Sequence, residues 1–302
     1  MSETADENIN VQSGATDFWF DLLKIRDIWD KYGEKGGLAR VLILDTGINR
    51  NLSVFNGIIE SQIQNFAINS TDTFSNDENC HGTHCAGLIA SFSASYKVGI
   101  APQSKLLVGK ITENGQLKDG TTLKNALREY LKPDYDFDII SISQTIVQND
   151  TELENLILEH IKMKKIIIAA IGNDSTNRNS AWKRFPGFFD SCISVGACES
   201  DQSLSPYTCS PGKAAIYCYG SNVGSYKKSE IPEALTGTSQ ATAIVAGICS
   251  LLVSFLKSRD IDFDQEFIRK LLQEHSIPLT GGQNYKLIDP MTIFTNILTT
   301  VS

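Results

Sequence analysis

The sequence predicts an α/β protein with three layers: a doubly wound, mostly parallel sheet with helices on both faces. Two observations lead to this prediction. Short apolar runs rich in β-branched residues alternate along the chain with amphipathic, helix-periodic stretches. These runs are also apolar nearly throughout. Strands buried on both faces have this composition, whereas half-exposed strands alternate between apolar and polar residues. The chain of 302 residues contains no linker and no internal repeat, which indicates one domain.

Five apolar runs supply the predicted strands. They are VLIL (41–44), KLLV (105–108), DIISIS (138–143), KIIIAA (165–170) and CISVGA (192–197). Their lengths are typical of strands in the interior of a sheet, and Val and Ile favour extended backbone.

Helical periodicity appears in three stretches. Residues 18–32 carry apolar side chains at helical spacing, which predicts one helix. Residues 121–131 (TTLKNALREYL) and 151–161 (TELENLILEHI) each place their apolar residues on one face. Thr151 and Glu154 have the spacing of a capping box, so we expect the last of these helices to begin at this pair.

Composition and charge exclude several classes of protein. Residues 1–17 are polar and acidic, and we expect them to be disordered, with the folded domain over 18–302. They lack the basic and apolar regions of a secretory signal, and no apolar run reaches the ~18 residues of a membrane span. The net charge of −8 without a Lys/Arg-rich run argues against nucleic acid. Seven cysteines, an odd number, favour reduced thiols and a cytoplasmic location.

Polar residues follow two of the predicted strands directly. Asp45 comes immediately after VLIL, and Asn173 follows KIIIAA within three residues. Ligands of open parallel sheets bind beyond the carboxyl ends of the strands. We therefore expect both residues at one edge of the sheet, in a functional site.

Four segments carry residues suited to hydrolysing an amide bond. They are LILDTGIN around Asp45, NCHGTHCAG around His81, AAIGND around Asn173 and LTGTSQATAIVAG around Ser239. This reaction needs a nucleophile, a base, a carboxylate that orients the base, and donors for the oxyanion. A serine, a histidine, an aspartate and an asparagine fill these four roles.

The order of Asp45, His81 and Ser239, with DTG, HGTHCAG and GTSQA around them, resembles the subtilisin-like serine proteases (subtilases, peptidase S8). The resemblance runs from about residue 23 to the C-terminus and implies a subtilisin-like fold. It also implies a hydrolase in which Ser239 attacks, His81 transfers protons and Asp45 orients His81. The Asn173 side chain and the Ser239 backbone N–H would form the oxyanion hole.

The resemblance further implies a set of substrate-binding residues, and here the chain departs from the family. Ser143, Gln144 and Thr145 would line the substrate. Relatives continue this strand with Leu-Gly-Gly where this chain has Gln144, Thr145 and Ile146, and we expect Thr145 and Ile146 to narrow the S1 pocket. Arg184 falls at the base of that pocket, where a cation favours an acidic or polar side chain before the scissile bond. The alternative is a solvated arginine beside a loop.

These departures predict a serine endopeptidase of narrow specificity, acting on a peptide or protein substrate. Cytoplasmic subtilases without a folded prodomain resemble the leader peptidases that mature precursor peptides such as lanthipeptides. Regulatory proteolysis is the other role that this resemblance implies. A catalytically inactive, peptide-binding subtilase is the alternative from a different class.

A metal site is the remaining alternative. His84 lies three residues after His81, and Cys80 and Cys85 flank the pair, so a zinc cluster is an alternative interpretation. No second cysteine or histidine pair with ligand spacing occurs elsewhere in the sequence, and we expect His84 and Cys85 to be structural. The sequence predicts no metal and no cofactor, and it leaves open a weak structural calcium site.

Overall fold

The computed structural model describes residues 17–61, 64–67, 76–173, 182–280 and 284–301. The predicted disordered segment 1–17 lies outside these residues except for its last position, so that expectation stays a prediction. A long-range contact network joins the described ranges into one body around a central sheet.

Eleven strands are present in the described part of the chain. They are β1 (Arg40–Asp45), β2 (Gln64–Asn65), β3 (Lys105–Lys110), β4 (Ile139–Ile142), β5 (Ile166–Ala170), β6 (Ile193–Cys198), β7 (Ile216–Tyr219), β8 (Val223–Ser225), β9 (Glu233–Leu235), β10 (Ile277–Pro278) and β11 (Lys286–Leu287). Nine form the main sheet in the order β10-β11-β7-β6-β5-β4-β1-β3-β2, while β8 and β9 form a separate antiparallel pair. Every pairing in the main sheet is parallel except β10 with β11.

Eight α-helices cover this sheet in the described residues. They are α1 (Phe18–Leu22), α2 (Ile25–Tyr32), α3 (His81–Ile89), α4 (Thr121–Glu129), α5 (Thr151–Lys162), α6 (Thr238–Lys257), α7 (Gln265–Glu274) and α8 (Pro290–Val301). Helices α4 and α5 pack against one face, and the others contribute to the apolar core on the opposite face. The predicted three-layer α/β architecture is confirmed.

Strand β1 shows why the strands are apolar throughout. Val41 and Ile43 belong to the core beneath α3 and α6, while Leu42 and Leu44 belong to the core beneath α4 and α5. All four side chains are buried. Successive side chains of a strand point to opposite faces, so a sheet covered on both sides needs an apolar residue at every position.

Two predictions at helix ends are wrong. The single helix predicted over 18–32 breaks into α1 and α2, because Lys24 adopts a left-handed backbone conformation (φ 54°). The capping residue of α5 is Asp150 and not Thr151: the Asp150 side chain accepts a hydrogen bond from the Leu153 N–H at 3.0 Å. A carboxylate one residue earlier thus replaces the expected capping box.

Helix α6 is the central core helix. By length and composition it could cross a membrane, yet all of its apolar stretch is buried inside the fold. It packs against α3 and against strands β4 to β7. Ser239 is its second residue, so the buried helix holds this serine at the edge of the sheet.

Candidate active site

Asp45 and His81 are joined by a hydrogen bond. Asp45 ends β1 and is buried, whereas the His81 side chain, which opens α3, is 21% exposed. The distance from His81 Nδ1 to Asp45 Oδ1 is 2.8 Å. Gly82 permits this approach, because a Cβ at that position would lie 2.3 Å from the Gly47 carbonyl oxygen. The two groups are therefore held by packed backbone, with the outer face of the imidazole open.

A second buried carboxylate, Asp77, supports this pair, and it was missed by the sequence analysis. Asp77 accepts hydrogen bonds from Thr46 Oγ1 (2.7 Å), the Cys80 N–H (2.7 Å), the Thr83 N–H (2.7 Å) and Thr83 Oγ1 (2.6 Å). These donors belong to the residue after Asp45 and to the start of α3. The available signal was an acid four residues before His81; its burial required the structure.

The electrostatics of His81 are set by opposing contributions. Burial disfavours the imidazolium, but the Asp45 carboxylate and the neighbouring Cys85 outweigh it and hold the pKa of His81 well above its ordinary value. Cys85 Sγ lies 4.0 Å from His81 Nδ1, and burial raises the pKa of this thiol. A carboxylate oxygen of Asp45, a ring nitrogen of His81 and the sulfur of Cys85 all lie within 4.8 Å of one another.

His84, three residues further along α3, has the opposite environment. Its ring is fully buried, and its Nε2 donates to the carbonyl oxygens of Val223 and Glu233, each at 3.1 Å. Burial lowers the pKa of His84 to about 3. This histidine is neutral and links α3 to the β8–β9 pair, which agrees with the structural role expected for it.

Ser239 lies beside the same segment of chain as the Asp45–His81 pair. Its hydroxyl donates to the Ser143 carbonyl at 3.3 Å, and the Ser143 hydroxyl donates to the Ser239 carbonyl at 3.4 Å. The next residue, Gln144, contacts both His81 and Asp45. The residues that follow β4 therefore contact both the serine at the start of α6 and the Asp45–His81 pair.

Asn173 has the geometry of an oxyanion donor. Its Oδ1 accepts from the Thr238 N–H and from Thr238 Oγ1, both at 2.9 Å, so the amide Nδ2 is left as a donor on an exposed side chain. Gly237 is close by: a Cβ there would lie 3.0 Å from Nδ2. The N–H of Ser239 belongs to the first turn of α6, whose N–H groups have no intrahelical acceptor.

The residues after β4 differ from what we expected of them. The Gln144 side chain is buried against Asp45 and His81 instead of lining a pocket. Ile146 is also buried: its backbone pairs with Phe185, and its side chain lies in the core beneath α4 and α5, so the expectation that it narrows the pocket is wrong. Of this segment, Thr145 alone keeps a partly exposed side chain close to the site.

Arg184 lies next to the oxyanion donor. Its aliphatic carbons pack on Gly172, the neighbour of Asn173, and its guanidinium lies 5.6 Å from the centre of the Trp182 ring. Within the described ranges, no carboxylate forms an ion pair with Arg184. A half-buried cation thus lies beside the segment that carries Asn173.

The cysteines and one further histidine, His160, are also buried. All seven cysteines are buried thiols. His160 is buried as well; its Nε2 donates to the Leu127 carbonyl at 3.0 Å, and burial lowers its pKa to about 4.

Comparison with known proteins identifies the family. A sequence model of the Subtilase family matches residues 39–286. The chain is 26% identical to subtilisin DY of Bacillus licheniformis over 226 residues, covering 74% of this chain and 79% of that protein. It is 27% identical to the major intracellular serine protease of Bacillus subtilis over 239 residues, covering 78% of this chain and 74% of that protein. With subtilisin E of Bacillus subtilis the identity is 25% over 226 residues, covering 74% of this chain and 57% of that protein.

The family match spans most of the chain and includes the four segments that carry the candidate site. The chain therefore belongs to the subtilase family and is a subtilisin-like peptide hydrolase.

Proposed function

We propose that this protein is a serine endopeptidase whose catalytic triad is Asp45, His81 and Ser239. The observation that carries the proposal is the 2.8 Å hydrogen bond between Asp45 and His81, with Ser239 held beside it through Ser143. A carboxylate bonded to Nδ1 keeps that nitrogen protonated, so Nε2 is the basic atom. That basic atom is what a serine needs in order to become a nucleophile.

The reaction proceeds in two halves through an acyl-enzyme. The Ser239 hydroxyl rotates from the Ser143 carbonyl towards His81, gives its proton to Nε2 and attacks the scissile carbonyl. His81 passes the proton to the leaving amine as the carbon–nitrogen bond breaks. Water, deprotonated by His81, then cleaves the ester and restores Ser239.

The negative charge that develops on the carbonyl oxygen needs donors that are already in place. The Asn173 amide and the Ser239 N–H would supply them, because Thr238 holds the Asn173 oxygen and so directs its nitrogen outward. The first turn of α6 adds the positive end of a helix dipole at this point.

We also propose that the specificity is narrow. The half-buried Arg184 would pair with an acidic or polar side chain before the scissile bond, and Thr145 would limit the size of that side chain. Maturation of a precursor peptide, in the manner of a leader peptidase, and regulatory proteolysis are the roles that suit such restriction. Profiling on a peptide library, with Ser239→Ala as the blank, measures the preference.

A cytoplasmic location and the lack of a cofactor belong to the same proposal. The resemblance to an intracellular protease and the seven buried thiols support the location. None of the proposed steps uses a metal. Peptidase activity that survives exhaustive chelation is the expected result, and a loss restored by a divalent cation would contradict this part.

Covalent labelling with a fluorophosphonate tests the catalytic proposal. These probes react with an activated serine, so we expect one adduct per folded chain, on Ser239. The Ser239→Ala and His81→Ala variants should both remain unlabelled at the same thermal stability. Folded wild-type protein that takes up no probe would instead identify the chain as an inactive, peptide-binding subtilase.

A further inference from the structure

Gln144 holds an unusual position for a polar side chain. It follows β4 and is 4% exposed, at a place where the family pattern has an apolar leucine. Its Nε2 lies 3.2 Å from Asp45 Oδ1 and 3.3 Å from His81 Nδ1. A buried amide in contact with both members of the pair is a chemical group that the proposed reaction does not yet use.

The two carboxylate oxygens of Asp45 differ in their hydrogen bonds. Oδ1 accepts from His81 Nδ1 (2.8 Å), from the Thr46 N–H (2.7 Å) and from Gln144 Nε2 (3.2 Å). Oδ2 is buried and accepts from no group in the described part of the chain. The amide of Gln144 and the imidazole of His81 therefore donate to the same carboxylate oxygen of Asp45.

The chemistry of the amide determines which contact is a hydrogen bond. Nε2 carries only hydrogens, so it donates to His81 Nδ1 only when that nitrogen has lost its own proton. A donation to Asp45 Oδ1 is compatible with a protonated Nδ1 and with the 2.8 Å bond between His81 and Asp45. Turning the amide over would place Oε1 against the carboxylate and is repulsive. Gln144 is thus a donor to Asp45.

We propose that Gln144 is a positioning residue: its amide donates to Asp45 and so restrains how strongly that carboxylate stabilises the protonated His81. The inference rests on the proposed triad and adds to it. The amide offsets part of the carboxylate charge and places its own positive end near Nδ1, and both effects disfavour the imidazolium. An apolar residue at the same position would leave the full charge to His81.

Among the described residues, few charged groups face the His81 ring. The titratable groups that approach it there come from β1 and from its own helix; they are the Asp45 carboxylate, the Cys85 thiol and the His84 imidazole. The segment after β4 and the start of α6 contribute neutral groups, which are Ser143, Gln144 and Ser239. A change at position 144 therefore acts on His81 through Asp45 and through the adjacent amide dipole.

Two variants of similar volume, Gln144→Leu and Gln144→Met, remove the donor. The acid limb of the kcat/KM profile reports the proton that His81 must lose, and we expect it to move up by about half a pH unit in both variants. Gln148→Leu is the matched control, since it makes the same change at an exposed position on the same loop. A limb that stays in place or moves down in the folded variants overturns the proposal.

A second measurement is independent of peptidase activity. Titration of the His81 ring nitrogens by NMR in the Ser239→Ala background should show the same upward shift on adding Gln144→Leu or Gln144→Met. Wild-type chain that fails to react with the fluorophosphonate contradicts the proposed function and leaves this titration interpretable. An unchanged titration, with wild type labelled normally, contradicts the role of Gln144 alone.

Discussion

The two sides of the active site differ in how they are built. On the catalytic side, the end of β1 and the start of α3 are joined by short hydrogen bonds through two buried carboxylates, Asp45 and Asp77. On the substrate side, the segment after β4 and the region of Arg184 meet through backbone pairing of Ile146 with Phe185 and through packing on Gly172.

The buried carboxylates belong to the proposed catalytic machinery, whereas the segment after β4 and Arg184 belong to the proposed substrate-binding surface. Substitutions in a buried, charged hydrogen-bond network destabilise the fold, because each lost acceptor leaves a buried donor without a hydrogen-bond partner. On the substrate side, Thr145 and Arg184 keep partly exposed side chains, whose size and charge can vary without unfolding the protein. Under the proposed function, catalysis would depend on the buried network and selectivity on Thr145 and Arg184.

Asn173 lies where the two sides meet, and its loss should have the largest effect. Asn173→Ala removes one oxyanion donor, and kcat should fall by about 10²–10³-fold, the size of the effect when this donor is removed from subtilisin itself. KM should change little, since the donor acts mainly in the transition state. Steady-state kinetics on one peptide substrate measure both constants. A fall confined to KM would assign Asn173 to substrate binding and weaken the contrast.

Asp77 tests the catalytic side through stability. Asp77→Ala leaves the hydrogen-bond donors of Thr46, Cys80 and Thr83 without their acceptor, and we expect the free energy of unfolding to drop by at least about 3 kcal/mol. Asp77→Asn, which keeps one acceptor oxygen, should lose less. Urea denaturation gives both values, with the exposed Glu78→Gln as control. Equal stability of Asp77→Ala and the control would show that this network is not essential to the fold.

Arg184 tests the substrate side through selectivity. Arg184→Gly removes the cation beside Gly172, and the preference for an acidic over an apolar side chain before the scissile bond should fall about tenfold, as expected for one charge-assisted contact. Stability should stay near that of wild type. The comparison uses kcat/KM on paired peptides that differ at that residue alone. An unchanged ratio would leave Arg184 as a solvated arginine stacked on Trp182.

The buried histidines give the most gradual effect. The pKa values of His84 and His160 in the folded protein are about 3 and about 4. The unfolded chain takes up these protons below about pH 6.5 and the folded chain does not. The stability that these two rings contribute is therefore complete above about pH 6.5 and should fall as the pH drops towards 4, by at most about 1.4 kcal/mol per pH unit for each ring.

Removing one of these rings checks the sign. His160→Gln should reduce the dependence of the unfolding free energy on pH between 6.5 and 4, and it should leave the dependence above pH 7 unchanged. Chemical denaturation at a series of pH values measures this slope. A slope that is identical in wild type and variant would mean that His160 takes up its proton in the folded state.

The buried strands of the main sheet could be predicted from the sequence alone. Apolar runs such as VLIL predict strands covered on both faces, because a strand alternates its side chains between faces and here neither face meets water. The same logic places Asp45 and Asn173 at one edge of the sheet. These features depend on local periodicity and on the order of segments, which a sequence displays directly.

Other features depended on which distant segments meet. The hydrogen bond from Thr46 Oγ1 to Asp77 and the burial of Ile146 beneath α4 and α5 arise from contacts that local patterns do not encode. Gln144 shows this most clearly. In the sequence it was a candidate for substrate binding, and only the packing of β4 beside β1 and α3 directs its amide to Asp45 and His81.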